Sequence, residues 1–294
     1  MIIPTYKQYN RLKLCLLSIE QQTYAHDMFE VIVIDDGSNE NVERILNEIN
    51  ISYSINIISL KKNAGRSFVR NLGAKELNVD LLIFNDGDRI MHKNFIAEHV
   101  NYHKDDQTVV IGNVLELFLS DYDELINDYI QKYLINEVAL FKRARYFNYA
   151  ECIYNIYNDQ GDTSSTVPWL SLFSGNFSIM QDIYLYNNGF NENFKDWGLE
   201  NFEFGYRLYK NSCRFRYNSK ASNFHIFHEN NRESRTNNLN LFASIHTEFE
   251  PDKLDAFLKG ELSLQEYDRG NTYQNDKPII FQKTRYGSRY REIF

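Results

Sequence analysis

The feature that most limits the fold is an alternation filling the first ninety residues. Short β-branched runs, "MII" at the start, "EVIVI" at 30–34, "SINII" at 54–58 and "LLIF" at 81–84, are separated by stretches with apolar residues at helical spacing. Leu12, Cys15, Leu16 and Ile19 mark one helix, Val42, Ile45, Leu46 and Ile49 a second, and Val69, Leu72 and Leu77 a third. Strands that alternate with helices pair in parallel through right-handed crossovers, so the expected fold is α/β with a Rossmann-like, mostly parallel central sheet and flanking helices. Ligands of such sheets gather outside the carboxyl ends of the strands. Each run here leads into polar, turn-forming residues: Pro4-Thr5-Tyr6, Asp35-Asp36-Gly37-Ser38, Lys61 to Arg66, and Asn85-Asp86-Gly87-Asp88. Any one of these is an ordinary turn. Four on one rim predict a site.

Beyond about residue 105 the alternation weakens. A strand is predicted in "TVVIGNVLEL", a largely helical, Tyr-rich region at 121–157, a strand at 170–179, a helix carrying "WGLENFEF" at 197–204, and strands in "RFRYN" and "NFHIFH". From about residue 230 the chain is polar and ends in "KTRYGSRYR" at 283–291. That end reads as solvated, or as a basic-aromatic patch for peripheral contact with an anionic membrane or an acceptor.

Composition excludes several classes. In 294 residues, 43% hydrophobic and 15% aromatic content is ample for a buried core. A formal charge of -8 argues against nucleic acid as a partner. Three widely spaced cysteines suit neither a disulfide framework nor a zinc cluster, which points to a reducing, cytoplasmic home, with the inner face of a membrane within reach of the basic end. No run approaches the ~18 apolar residues of a membrane span, and the first residues lack the regions of a signal peptide.

Two clusters carry chemistry. Asp86 and Asp88 flank a glycine directly after an apolar strand and can reach one hard divalent cation, Mn2+ or Mg2+. Phosphatases of the haloacid dehalogenase type carry D-x-D after their first strand with later elements that are absent here; nucleotide-sugar transferases carry it at this place. In "WGLENFEF", Glu200 and Glu203 stand among Trp197, Leu199, Phe202 and Phe204. On a helix, 200, 203 and 207 form one stripe, so Glu200, Glu203 and Arg207 are expected together. The plain alternative is a solvated acidic face.

The segments "IIPTYKQYNRLKLCLLSIEQQTY", "VIVIDDGSNE", "KKNAGRSFVRNLGAKE" and "LLIFNDGDRI" resemble the successive motifs of family 2 glycosyltransferases with the GT-A fold, over nearly all of residues 1–95. "SGNFSI", "GFNENFKDWGLENFEFGYRLYKNSCRF" and "FHIFHENNRE" are similar to the carboxyl-terminal region those enzymes share with galactosyl- and N-acetylgalactosaminyltransferases. The resemblance implies a nucleotide-sugar-binding half at 1–105, an acceptor-binding and catalytic half at 106–232, and a C-terminal extension at 233–294. It implies transfer of a hexose or N-acetylhexosamine from a UDP-sugar to a hydroxyl of a glycan, lipid-linked glycan or peptide.

Position by position, it puts Pro4, Thr5 and Tyr6 around the uridine and Asp36 on the uracil ring. Arg66 and Arg70, one turn apart, approach the donor phosphates. Asp88 is the direct metal ligand, with Asp86 beside it on the ribose or on metal-bound water. Of His225 and His228, three apart on a strand and so on opposite faces, His228 is expected at the metal and His225 in ordinary packing. Trp197 and Asn176 line the acceptor, and the stretch from Trp169 to Asn176 with Trp197 shapes the donor-sugar pocket.

Two departures stand out. Inverting relatives place the general base at an Asp where this chain has Asn201, and an amide cannot take a proton. Glu200 is therefore the expected base, its pKa raised by aromatic surroundings, with Glu203 as the other candidate. A retaining enzyme of the polypeptide N-acetylgalactosaminyltransferase kind, or a catalytically silent nucleotide-sugar or glycan-binding partner protein, stays open. The family also has several residues before the I-I-P-T segment, so either the first strand is short or the true start lies upstream.

Overall fold

The computed structural model describes residues 1–39, 41–117, 141–142, 144–195, 198–227, 235–269 and 290–292. The expected alternation is present: β1 (Ile2–Thr5), α1 (Tyr9–Glu20), β2 (Glu30–Asp35), β3 (Ser54–Ser59), α2 (Arg66–Glu76) and β4 (Leu81–Asn85). The predicted second helix is instead a 3-10 segment, Val42–Asn47, its first turn capped by the Asn41 side chain. Val42 and Ile45, three apart, both bury, which is the period of that tighter helix.

Next come β5 (Arg89–Met91), α3 (Phe95–Tyr102), β6 (Thr108–Leu117), β7 (Ala144–Phe147), α4 (Asn148–Tyr154), β8 (Asn176–Met180), α5 (Gln181–Tyr186), α6 (Glu200–Lys210) and β9 (Arg214–Ile226). The chain closes with α7 (Arg235–Ile245), α8 (Pro251–Lys259), α9 (Leu264–Tyr267) and β10 (Tyr290–Glu292). The strand expected over 170–179 starts only at Asn176, after a 3-10 turn at Pro168–Ser171.

The sheet runs β10-β7-β6-β8-β4-β1-β2-β3, and β9 pairs both β6 and β5. β4, β1, β2 and β3 are mutually parallel, and β8 is antiparallel between β4 and β6. Successive residues of the parallel strands go to opposite faces, as the pleat requires. Ile2, Ile32, Ile34, Leu82 and Phe84 join one core with α2, α4, α6 and the C-terminal helices. Ile3, Val33 and Ile83 join the other with α1 and α3.

The stretch after 230, expected as a solvated polar end, contributes Leu239, Phe242, Leu254, Phe257 and Leu264 to the first core. Of the basic-aromatic end, Tyr290 and Arg291 lie in β10, antiparallel to β7, and 283–289 lie outside the described residues.

Candidate active site

The carboxyl ends of β1, β2 and β4 place Thr5, Asp36, Asp86 and Asp88 on one rim. Asp36 donates its backbone N–H to the Thr5 carbonyl. Its carboxylate accepts from Ala64 N (2.6 Å), Gly65 N (3.0 Å) and Asn63 Nδ2 (2.9 Å), so it gathers the loop after β3. Burial raises its pKa above the usual carboxylate value, and the two backbone donors oppose that rise. A carboxylate has about four lone-pair sites, so one remains for a base edge. Gly37 makes the approach possible: at φ +77° it sits where a Cβ would fall 2.6 Å from the Lys62 carbonyl carbon. Of the predicted uridine neighbours, Thr5 is buried, Pro4 is half-buried, and Tyr6 exposes its ring.

The D-x-D turn is pinned to β1 by Gly87 N donating to the Pro4 carbonyl (3.1 Å). Arg70 Nη2 donates to Asp86 Oδ1 at 2.6 Å, and Arg89 Nε lies 3.6 Å from Asp86 Oδ2. Burial works against the charge of Asp86, but the two arginines outweigh it and hold the carboxyl below its ordinary range. Arg66 and Arg70, both expected at the phosphates, differ in their settings. Arg70 is only 2% exposed and committed to Asp86, while Arg66, 47% exposed, stays open to solvent.

Asp88 Oδ2 accepts from Gln8 Nε2 (3.3 Å) and lies 3.3 Å from His225 Nε2. His225 Nδ1 is 2.6 Å from Glu116 Oε2. Burial disfavours the imidazolium, but Glu116 and Asp88 prevail and push its pKa up to about 10. His225, expected in ordinary packing, joins two carboxylates instead, because the antiparallel register of β5 and β9 sets it opposite Arg89, next to Asp88. Glu116 is marked by no motif, and Arg89 stands inside "LLIFNDGDRI" with no role implied for it; strand register sets both opposite His225. His228 and Trp197 lie outside the described residues.

Carboxylates flanking Gly87 beside an imidazole are a donor chemistry that fits a hard divalent cation. Among the described residues, no group of three or more His, Cys, Asp or Glu side chains stands assembled to hold one.

The octet at 197–204 is no solvated face: Glu200 is 3% and Glu203 0% exposed. They part company. Arg207 Nε and Nη2 grip both oxygens of Glu203 (2.7 and 2.9 Å), and His246 Nε2 adds a third contact at 3.0 Å. Burial favours the neutral acid there, yet His246 and Arg207 lower the pKa below the ordinary glutamate value. With every oxygen engaged, Glu203 is corrected from candidate base to structural ion pair.

Glu200, in the first turn of α6, lies 3.8 Å from Arg70 Nη1 and 4.0 Å from Arg66 Nη1, so its surroundings are cationic as well as aromatic. Its Oε2 is buried without a hydrogen-bond partner among the described residues. Asn201 Nδ2 donates to the Leu172 carbonyl at 2.5 Å, a bond a carboxylate cannot make.

Asn176 is corrected from acceptor contact to core joint. It is fully buried, donates to the Asn113 and Ala221 carbonyls (3.1 and 3.0 Å) and meets His99 Nε2 (3.0 Å). It closes the register shift between β6 and β9 at Gly112/Asn113.

The mixed α/β arrangement of the central sheet and its flanking helices is that of the GT-A glycosyltransferases. Residues 1–349 of TarS from S. aureus superpose with a TM-score of 0.60 at 16% identity, covering 87% of this chain and 68% of that one. GalNAc-T7, solved with UDP, GalNAc and Mn2+, gives 0.57 at 14% identity over 77% and 43%. Residues 1–153, more than half of the chain, match the glycosyl transferase family 2 model, so the chain belongs to that family. Residues 162–229 match the N-terminal domain of galactosyltransferase.

Among relatives, the uncharacterized glycosyltransferase YfnE of Bacillus subtilis is 24% identical over 259 residues, 80% of this chain and 66% of its own length. Chondroitin synthase of Escherichia coli is 29% identical over 237 residues, 76% of this chain and 34% of its own length. The chain therefore spans between about a third and two thirds of the curated relatives it matches.

Proposed function

We propose that this chain is a metal-dependent glycosyltransferase that moves a hexose or N-acetylhexosamine from a UDP-sugar to an acceptor hydroxyl, inverting the anomeric carbon with Glu200 as general base. One observation carries the reading: a single buried guanidinium, that of Arg70, spans Asp86 of the donor half (2.6 Å) and Glu200 of the acceptor half (3.8 Å). The two carboxylates the chemistry needs are thereby held in one network. The TarS fragment has been solved with UDP and with UDP-GlcNAc, which supports a uridine donor.

In this reading Asp36 and the rim around Tyr6 take the uridine, and Arg66 approaches the diphosphate. Asp88, with Asp86 and His228, is the proposed set for Mn2+ or Mg2+, which when bound stabilises charge growing on the leaving diphosphate. Glu200 Oε2 takes the proton of the attacking hydroxyl as the new C–O bond forms and the bond to UDP breaks. The acceptor, a glycan, lipid-linked glycan or peptide, approaches from the α6 side. Among the described residues no helix is long and apolar enough to cross a membrane. Any membrane contact is proposed for the basic-aromatic end.

The deciding experiment is UDP release from a panel of UDP-sugars with Mn2+ and with chelator, for the parent, Asp88→Ala and Glu200→Gln. Slow hydrolysis selective for one sugar, lost on chelation and in both variants, is expected. Asn201 favours a second reading, binding without turnover, because its amide is spent on the Leu172 carbonyl. Mn2+-dependent UDP binding with no release across sugars and acceptors would establish that reading and overturn the first.

A further inference from the structure

Buried polar atoms without hydrogen bonds are rare, and where they cluster something polar is missing. Among the described residues, five such atoms belong to three side chains around Asp86: Nε and Nη1 of Arg70, Nε and Nη1 of Arg89, and Oε2 of Glu200. Arg70 is 2% and Glu200 3% exposed, and the Arg89 side chain is 12% exposed. The ion-pair distances to carboxylates, 3.8 Å from Arg70 Nη1 and 3.6 Å from Arg89 Nε, lie beyond hydrogen bonding. Gly175 lets the two sides close: a Cβ there would fall 2.4 Å from both Arg89 Nε and Asp86 Oδ2.

The capacity is lopsided, with four donor nitrogens against one acceptor oxygen. A hydroxyl brings one donor with its lone pairs, so a row of hydroxyls absorbs such a surplus poorly. A carbonyl or carboxylate oxygen, which only accepts, absorbs it well, and a guanidinium fork meets it with two parallel bonds.

We infer that Arg89 reads the donor sugar, and that the space between Asp86 and Glu200 is built for a sugar bearing a pure acceptor, the acetamido carbonyl of an N-acetylhexosamine or the carboxylate of a hexuronic acid, over a plain hexose. This rests on the transferase reading above. Arg89 joins Asp86 to the sugar-bearing end of the diphosphate, and Arg70 contributes its remaining donors from the opposite side.

The test compares the parent with Arg89→Gln and Arg89→Lys in Mn2+ buffer. Affinities for UDP, UDP-glucose, UDP-N-acetylglucosamine and UDP-glucuronic acid are measured by calorimetry, with KM wherever turnover is seen. The parent is expected to bind the acetamido or the carboxylate donor about tenfold or more tightly than UDP-glucose, since a site with buried donors rejects the analogue that leaves them unpaired. Whichever of the two binds better names the source of the acceptor oxygen.

Arg89→Gln is expected to erase the preference while UDP affinity stays within about threefold, and Arg89→Lys, a charge without the fork, to recover only part of it. Melting temperatures check that both variants fold. A parent indifferent among the three sugars overturns the inference. So does a variant that loses UDP and every donor alike, which would make Arg89 a support for Asp86. Because binding needs no turnover, these outcomes stand apart from failure of the transferase reading, which is marked by Mn2+-dependent UDP binding with no release from any sugar.

Discussion

Glu203 and Asn176 show how far a side chain's role depends on what it satisfies. Asn176 serves two carbonyls and one imidazole at the seam where β6 and β9 shift register. Asn176→Ala leaves those groups buried and unpaired, so a loss of at least about 2 kcal/mol is expected, read as a lower urea midpoint at unchanged slope. Acceptor KM of the folded fraction should not move; a raised KM at parental stability would return Asn176 to the acceptor site. For Glu203→Gln the expected loss is about 3 kcal/mol, because Arg207 then keeps a buried charge without its counterion. Glu200→Gln, by contrast, is expected to lose turnover at near-parental stability, and the reverse pattern would exchange the two roles. The helical stripe in the sequence did identify the Glu203–Arg207 pair, four residues apart on α6. It could not reveal that Glu200 turns to Arg66 and Arg70, which arrive from α2 more than a hundred residues earlier.

Among the elements, the parallel strands β1, β2 and β4 were legible because burial on both faces writes them as continuous apolar runs, whereas the edge strand β3 has no fully buried residue. The second half was harder, and β9 shows why. Thirteen residues, Arg214–Ile226, form one strand interrupted by a bulge, which in sequence reads as two short runs with polar residues between. α3 carries a consequence no pattern announces. His99 is fully buried between Ser178 and Asn176, and His103 of the same segment reaches the same Ser178 hydroxyl. Burial lowers their pKa values to about 3 and about 4, against 6.5 for the free side chain.

A histidine held neutral by the fold contributes its stability in full above its unfolded pKa and loses it as pH falls toward the folded one. Stability should therefore decline from about pH 6.5 downward, with His99 alone accounting for a slope of about 1.4 kcal/mol per pH unit. His99→Gln is expected to be less stable than the parent at pH 7.5 and to show a flatter decline between pH 6.5 and 4.5 in urea titrations. An equally steep decline in that variant would assign the acid sensitivity to other groups.

On the scale of the whole molecule, the rim formed by the loops after β1, β2 and β4 follows from local sequence because each loop is set by the strand it ends. The side around α6 is assembled from distant pieces. Gly198, at the entrance to α6, is held by Asn238 of α7 through a 2.6 Å bond to its carbonyl. Trp169, 2% exposed, is covered by Phe242, Phe249 and Tyr267, at ring distances of 6.2, 6.0 and 6.4 Å. Asp268 fastens the end of this segment to Ser165 Oγ (2.8 Å) and Thr166 N (2.9 Å). The polarity of the stretch after 230 hides these anchors, because a few well-spaced apolar residues on short helices suffice to close a core that most of their neighbours never touch.

Leu239, Phe242, Leu254, Phe257 and Leu264 are each buried, and each contributes about 1.5–3 kcal/mol. Their sum rivals the roughly 5–15 kcal/mol that holds a whole domain together. Ending the chain at residue 232 should accordingly leave the first core open. The expected result is loss of the cooperative thermal transition, a red-shifted tryptophan emission as Trp169 meets water, and binding of a hydrophobic dye. A truncated chain that melts cooperatively and still binds UDP would show instead that these helices decorate a core already complete.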